Sequence, residues 1–297
     1  MTSTPRRRAP LPTSVLATLA ALYYLAAVAL GVVVVTEAEQ ATRAHRALVT
    51  YDSAEEKTDT LVRGLLESVS LGMYRGASEK SARIEEIASE ATRAAGRSRD
   101  AAFGLLALSA VFVAVLWGRR RARRSAPPGE LVAHLLGVSA VFLAVGLVAP
   151  ILTVSAHKDI AVLGRVMLQH DTKSIIGTVT TLWAAGSAFL AGILALFSIA
   201  APSLKLVLSL GALAVPHAGA RRLSLGTVEL IGRWSMTDVF VVSILVAYLA
   251  TDTDRLTDAA VGIGLYFFAG YALLSLAAGQ LMVRHRAALV ERVPTTG

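Results

Sequence analysis

Residues 11–35 form a long apolar run preceded by Arg6, Arg7 and Arg8, and the pattern of a hydrophobic stretch bounded by a basic cluster recurs along the chain. Residues 101–118 run into Arg119, Arg120, Arg121, Arg123 and Arg124, and residues 259–283 run into Arg284, His285 and Arg286. A helix needs about 20 apolar residues to cross the roughly 30 Å hydrocarbon core of a bilayer. Inside lipid every backbone N–H and C=O must be satisfied by the segment itself, so such runs specify helices. With 55% hydrophobic and 17% charged residues, the chain reads as an all-α, polytopic membrane protein. The net charge of +8 follows from the basic ends of the apolar runs, which orient them with those ends in the cytoplasm. No aromatic-basic interleaving or zinc-finger spacing accompanies it, so no nucleic-acid partner is expected. The absence of cysteine excludes disulfides, thiolate metal sites and cysteine nucleophiles together.

The runs predict about six transmembrane helices, at residues 11–35, 101–118, 131–154, 175–215, 235–250 and 259–283, with both termini cytoplasmic. The first run is longer than the hydrophobic core of a secretory signal and reads as an uncleaved membrane helix. Between the first two, residues 37–100 are polar and charge-mixed. Leu61, Leu65, Leu66 and Val69, and again Ile84, Ile87, Ala88 and Ala91, fall at helical spacing, each making one apolar stripe. Gly72 and Gly76 lie between them, and Ser78-Glu79 reads as a helix start. The expectation is an extracytoplasmic helical hairpin, serving either as a docking or sensing module or as a spacer. Ala126-Pro127-Pro128-Gly129 reads as a linker that divides residues 1–129 from residues 130–297. Residues 155–174 read as a short polar excursion on the outer side, without metal-ligand spacing. His134, near the start of the third helix, is either hydrogen-bonded structure or part of a proton relay.

Polar residues in the remaining helices carry what chemistry there is. Asp238 stands at the mouth of the fifth helix, either as a solvated cap or as an intramembrane site. Trp234 beside it suits an interfacial anchor. Ser235 lies three residues before Asp238, on the same helical face. Pro202 removes a backbone bond and is expected to kink or break the fourth helix. Lys205 follows it and either snorkels to the headgroups or is buried with an acidic partner. Ser198, seven residues before Lys205, shares its face if Pro202 only kinks the helix. Lys205 and Asp238 fall at similar depths on neighbouring helices, a pairing that suits either a proton-coupled switch or a static staple.

The chain has no Walker-type Gly-x-x-x-x-Gly-Lys-Ser/Thr run, no His-Glu-x-x-His and no Gly-x-Ser-x-Gly, so an enzyme is not expected. Nothing in the sequence asks for a cofactor or a metal.

Pro150, Lys173-Ser174-Ile175, FSIAAPSLKL at 197–206 and, above all, WSMTDVFVVSILVA at 234–247 carry a resemblance. Over about residues 131–286 the chain resembles the integral membrane unit of the paraquat-inducible protein A (PqiA-like) family. The resemblance implies a four-helix inner-membrane unit that works with an extracytoplasmic MCE-domain partner to move lipids or other hydrophobic molecules across the cell envelope. It also implies a proton relay through Ser198, Lys205, Ser235 and Asp238, with Ser275 placed by its position in the last helix. Members of that family often carry Cys-rich zinc-binding segments and two copies of the membrane unit. This chain has neither, and Thr237 stands where an apolar residue is usual. Pairing with itself as a homo-oligomer would restore two units. The alternative from another class is a membrane sensor or scaffold whose 37–100 hairpin receives a signal or docks a partner.

Overall fold

The computed structural model describes residues 13–51, 76–122, 129–160, 164–214 and 257–290. Five of its helices are long and apolar enough to cross a membrane: Ser14–Leu48, Ser81–Ala122, Gly129–Val148, Ala188–Leu213 and Ile263–Met282. The expected fifth helix at 235–250 and the Leu61 to Val69 stripe lie outside the described residues.

Helix α1 spans Thr13–Tyr51 and α2 spans Gly76–Ala122. At 1.5 Å per residue they are about 58 and 70 Å long, roughly twice the hydrocarbon thickness. The apolar run at 11–35 therefore does not end its helix, and the run at 101–118 is the last part of a helix that begins far outside the membrane. The two pack along one continuous seam. On α1 the buried residues are Leu16, Ala20, Tyr23, Ala27, Val34, Ala38 and Ala41, and on α2 they include Ala91, Ala94, Ala102, Leu105, Phe112 and Leu116. These recur at the three- and four-residue steps of a helix-helix seam, and the step does not change where the apolar runs stop. Ile84, Ile87 and Ala88 extend the same face of α2 and are half-buried. Ser98 donates from Oγ to the carbonyl of Val34 at 2.9 Å, and Arg97 donates from Nε to Glu37 at 2.8 Å, so the pair is tied where it leaves the apolar region.

Helix α3, Gly129–Val148, is the hub. Leu131, Val132, Leu135, Leu136, Val138, Phe142, Leu143, Val145 and Leu147 are all buried, which takes up most of its circumference, as expected of a helix surrounded by others. After Pro150 the chain turns into strand β1 (Leu152–Ile160), which pairs antiparallel with β2 (Gly164–Lys173) and with β3 (Thr257–Val261) in the order β2-β1-β3. The β1-β2 hairpin occupies most of the stretch read from the sequence as a short polar excursion, and β1 and β3 also take residues 152–154 and 259–261 from the ends of the expected third and sixth helices. Leu152 pairs with both Lys173 and Val261, so the sheet gathers the ends of three helical segments. α1 also touches β2. The projecting helix pair and the sheet thus lie at one end of the bundle, opposite the Arg119 to Arg121 end of α2.

Helix α4 (Ile175–Ala184) is capped by Ser174, whose Oγ accepts from the Gly177 amide. The single helix expected at 175–215 then breaks, not at Pro202 but at Gly186, whose φ of +79° is the left-handed backbone that glycine adopts without a Cβ clash. Helix α5 (Ala188–Ala195), a π-helical turn (Leu196–Ala200) and α6 (Ala201–Ala214) follow as one continuous path. The Ala201 amide donates to the Leu196 carbonyl, five residues back. The wider turn directly precedes Pro202, where a proline ring would clash with an ordinary helical carbonyl.

Helix α7 (Ile263–Val290) closes the bundle against α3. The two backbones meet at glycines. A Cβ on Gly146 would lie 2.7 Å from the Phe268 amide nitrogen, and one on Gly270 would lie 2.7 Å from Cδ2 of Phe142. Small residues at membrane helix crossings allow this approach, where packing replaces the hydrophobic effect as the driving force.

Candidate functional site

Among the described residues of α6 and α7, polar side chains recur on buried faces. Pro202, Lys205 and Ser209 are three and four residues apart on α6 and so share one face. Lys205 is 5% exposed and Ser209 3%. Opposite, Tyr271 is 2% exposed and donates its hydroxyl to the Pro202 carbonyl at 3.4 Å. Ser275, one turn beyond Tyr271 on the same face of α7, is 1% exposed, and its Oγ has no hydrogen-bond partner among the described residues.

Lys205, flanked in sequence by Leu204 and Leu206, is buried as a residue and does not extend into open solvent. A charge placed in a bilayer interior costs about 2.5–3.5 kcal/mol even on insertion scales. An orphaned buried hydroxyl costs a further 1–3 kcal/mol or so. Ser139 on α3 is equally buried but donates to the Leu136 carbonyl at 2.8 Å, so its hydroxyl is satisfied locally.

Ser198 is half-buried in the π-helical turn. That turn holds about one residue more than a regular one and rotates what precedes it by roughly 100°. Ser198 is therefore turned relative to Lys205 by more than their spacing of seven implies. Asp238, Ser235 and Trp234 lie outside the described residues. Ser209 and Tyr271 were not singled out from the sequence. Their signal is periodicity, since Ser209 is four residues after Lys205 and Tyr271 four before Ser275.

Lys205, Ser209, Tyr271 and Ser275 together give one ammonium and three hydroxyls in an apolar bundle. Such groups can hold a proton or solvate an ion inside a membrane. No cluster of three or more His, Cys, Asp or Glu suited to a metal occurs among the described residues.

The sequence profile of a family described as paraquat-inducible protein A matches residues 132–287. No curated protein and no solved structure matches the chain. The match begins at the second turn of α3 and takes in the sheet, α4 to α6 and nearly all of α7, leaving α1 and α2 outside it. Over more than half its length, and over every buried polar residue of α6 and α7, this multi-pass membrane chain belongs to the paraquat-inducible protein A family.

Proposed function

We propose that the protein is the inner-membrane component of an envelope system that moves lipids or other hydrophobic molecules. On this reading it works with an extracytoplasmic MCE-domain partner and is driven by protons. Both termini lie in the cytoplasm, where the Arg119 to Arg121 end of α2 would sit. The observation that carries the reading is Lys205, buried in a membrane bundle of this family. Ser209, Tyr271 and Ser275 supply hydroxyls on the faces around it, and Asp238 is the carboxylate the sequence offers as its partner. A Lys-Asp pair whose access to water changes with conformation can take up and release a proton. No enzymatic role is proposed.

The test is envelope barrier function in cells carrying Asp238→Asn or Lys205→Ala, with insertion checked by membrane fractionation. Loss of the barrier with normal insertion is expected. Wild-type barrier in both variants overturns the relay.

The length of α1 and α2 favours a second reading, a sensor or scaffold whose projecting pair docks a partner. Deleting residues 37–100 separates the two. A transport core retains part of its activity, whereas a scaffold loses all of it.

A further inference from the structure

The outer end of the bundle holds a cleft of about 410 Å³ between α1 and the β2–α4 junction, within the size range of small-molecule sites. Its walls carry Glu39, Arg43 and Arg46 from α1 and Asp171, Lys173 and Ser174 from the other side, and Val148 and Pro150 also line it. One wall belongs to the family unit, and the other comes from the helix pair outside it. The depth is set by the apolar runs. The run on α1 ends at Val35, so Glu39 lies about 6 Å and Arg43 about 12 Å beyond it, while α3 ends at Val148 beneath the cleft. Headgroups occupy the first 5–8 Å or so outside the hydrocarbon. The cleft therefore begins at headgroup level at Glu39, and the Arg43 guanidinium, whose backbone lies further out, is drawn back to that level by its ion pair with Glu39.

The charges are of both signs and are already paired. Arg43 meets Glu39 at 3.0 Å and Lys173 meets Asp171 at 3.0 Å. All four side chains are a third or more exposed, at 76%, 50%, 44% and 33% for Arg43, Glu39, Lys173 and Asp171. Exposed pairs of this kind contribute little and are readily exchanged. A guanidinium fork matches phosphate oxygens, and the first turn of α4, opened by Ser174, adds its positive dipole end. The two carboxylates, once released, oppose a purely anionic ligand and favour one that also brings a cation.

We propose that this cleft binds a zwitterionic phosphate-amine headgroup, with the phosphate taken by Arg43 and Lys173 and the amine by Glu39 and Asp171. The inference rests on the lipid-handling reading and names the headgroup class. The same chemistry is shared by a phospholipid and by a free phosphate ester.

The test is saturable binding to the full-length protein in neutral detergent, using phosphatidylethanolamine, phosphatidylglycerol and inorganic phosphate as probes. Phosphatidylethanolamine is expected to bind about tenfold more tightly than phosphatidylglycerol, and Arg43→Gln or Lys173→Gln to weaken it by about tenfold. Glu39→Gln should narrow the preference between the two lipids. Failure of millimolar inorganic phosphate to compete assigns the ligand as lipid; full competition assigns the site to soluble phosphate and overturns the lipid source. Equal binding of both lipids, or a double Arg43→Gln/Lys173→Gln variant that binds as wild type, overturns the site. The substituted side chains are exposed, and an unchanged thermal melt checks that the variants fold. Because binding is read without transport, the cleft can fail while Lys205→Ala still abolishes the barrier, and the reverse.

Discussion

The Tyr24 hydroxyl lies 3.2 Å from Nδ1 of His134, joining the helix pair that the family match leaves out to the hub helix of the unit it covers. Around this contact Tyr23 stacks on Phe112 at 4.0 Å between ring centroids, and its hydroxyl is 2.9 Å from Oγ of Ser109. The sequence alternative for His134 was structure or relay, and the structure supplies the hydrogen-bonded partner. The two parts of the chain are coupled through polar groups in an otherwise apolar interface, where directional bonds fix register better than interchangeable Leu and Val contacts.

Tyr24→Phe should lower stability by about 1 kcal/mol, because it removes the hydroxyl and leaves the imidazole with one partner fewer. For a protein of this size that corresponds to a fall in Tm of about 2–4 °C. Thermal unfolding in detergent measures it, and an unchanged Tm would show the contact to be energetically idle.

Gly146→Ala should destabilise by about 1–3 kcal/mol, since the new methyl meets the Phe268 backbone and neither helix can yield without shifting the crossing. Gly211→Ala is the control. No described atom lies within 4 Å of a Cβ at Gly211, and alanine is the better helix former, so stability should hold or rise slightly. Equal effects from the two would mean that α3 and α7 do not meet at their glycines.

Ser275→Ala separates a structural serine from a functional one. Removing a buried hydroxyl that lacks a partner among the described residues should leave stability unchanged or slightly raised. Barrier function should fall all the same if Ser275 serves the Lys205 site. Normal barrier function together with normal stability would remove Ser275 from that site.

The absence of cysteine permits single-cysteine labelling without background. Glu86→Cys, on the exposed face of the projecting part of α2, should react with a membrane-impermeant maleimide in cells whose outer barrier is opened. Arg121→Cys, exposed at the opposite end, should react only after the inner membrane is lysed. The reverse pattern would invert the orientation.

Much of this architecture follows from local chemistry. Apolar runs too long for a soluble core, ended by arginines, specify membrane helices whatever their neighbours do. Lys205 was visible as a candidate because lysine among leucines is costly anywhere in a bilayer. The stripe at Ile84, Ile87, Ala88 and Ala91 was present as periodicity, yet the change to polar composition at Glu37 suggested a boundary, and the small buried alanines that carry the helices through it have little hydrophobicity of their own.

What the sequence determined by itself is the membrane class and the family, because each depends on composition or on motifs read within a single segment. Tertiary structure decided the rest. The sheet exists because β1 finds partners at 164–173 and 257–261, the second about a hundred residues away, and no local pattern encodes that pairing. The helix breaks at Gly186 and widens ahead of Pro202, choices among locally allowed backbones that periodicity does not distinguish. Whether a lysine snorkels or is buried depends on which elements stand beside it, and Lys205 is buried on α6, a helix that packs against α3.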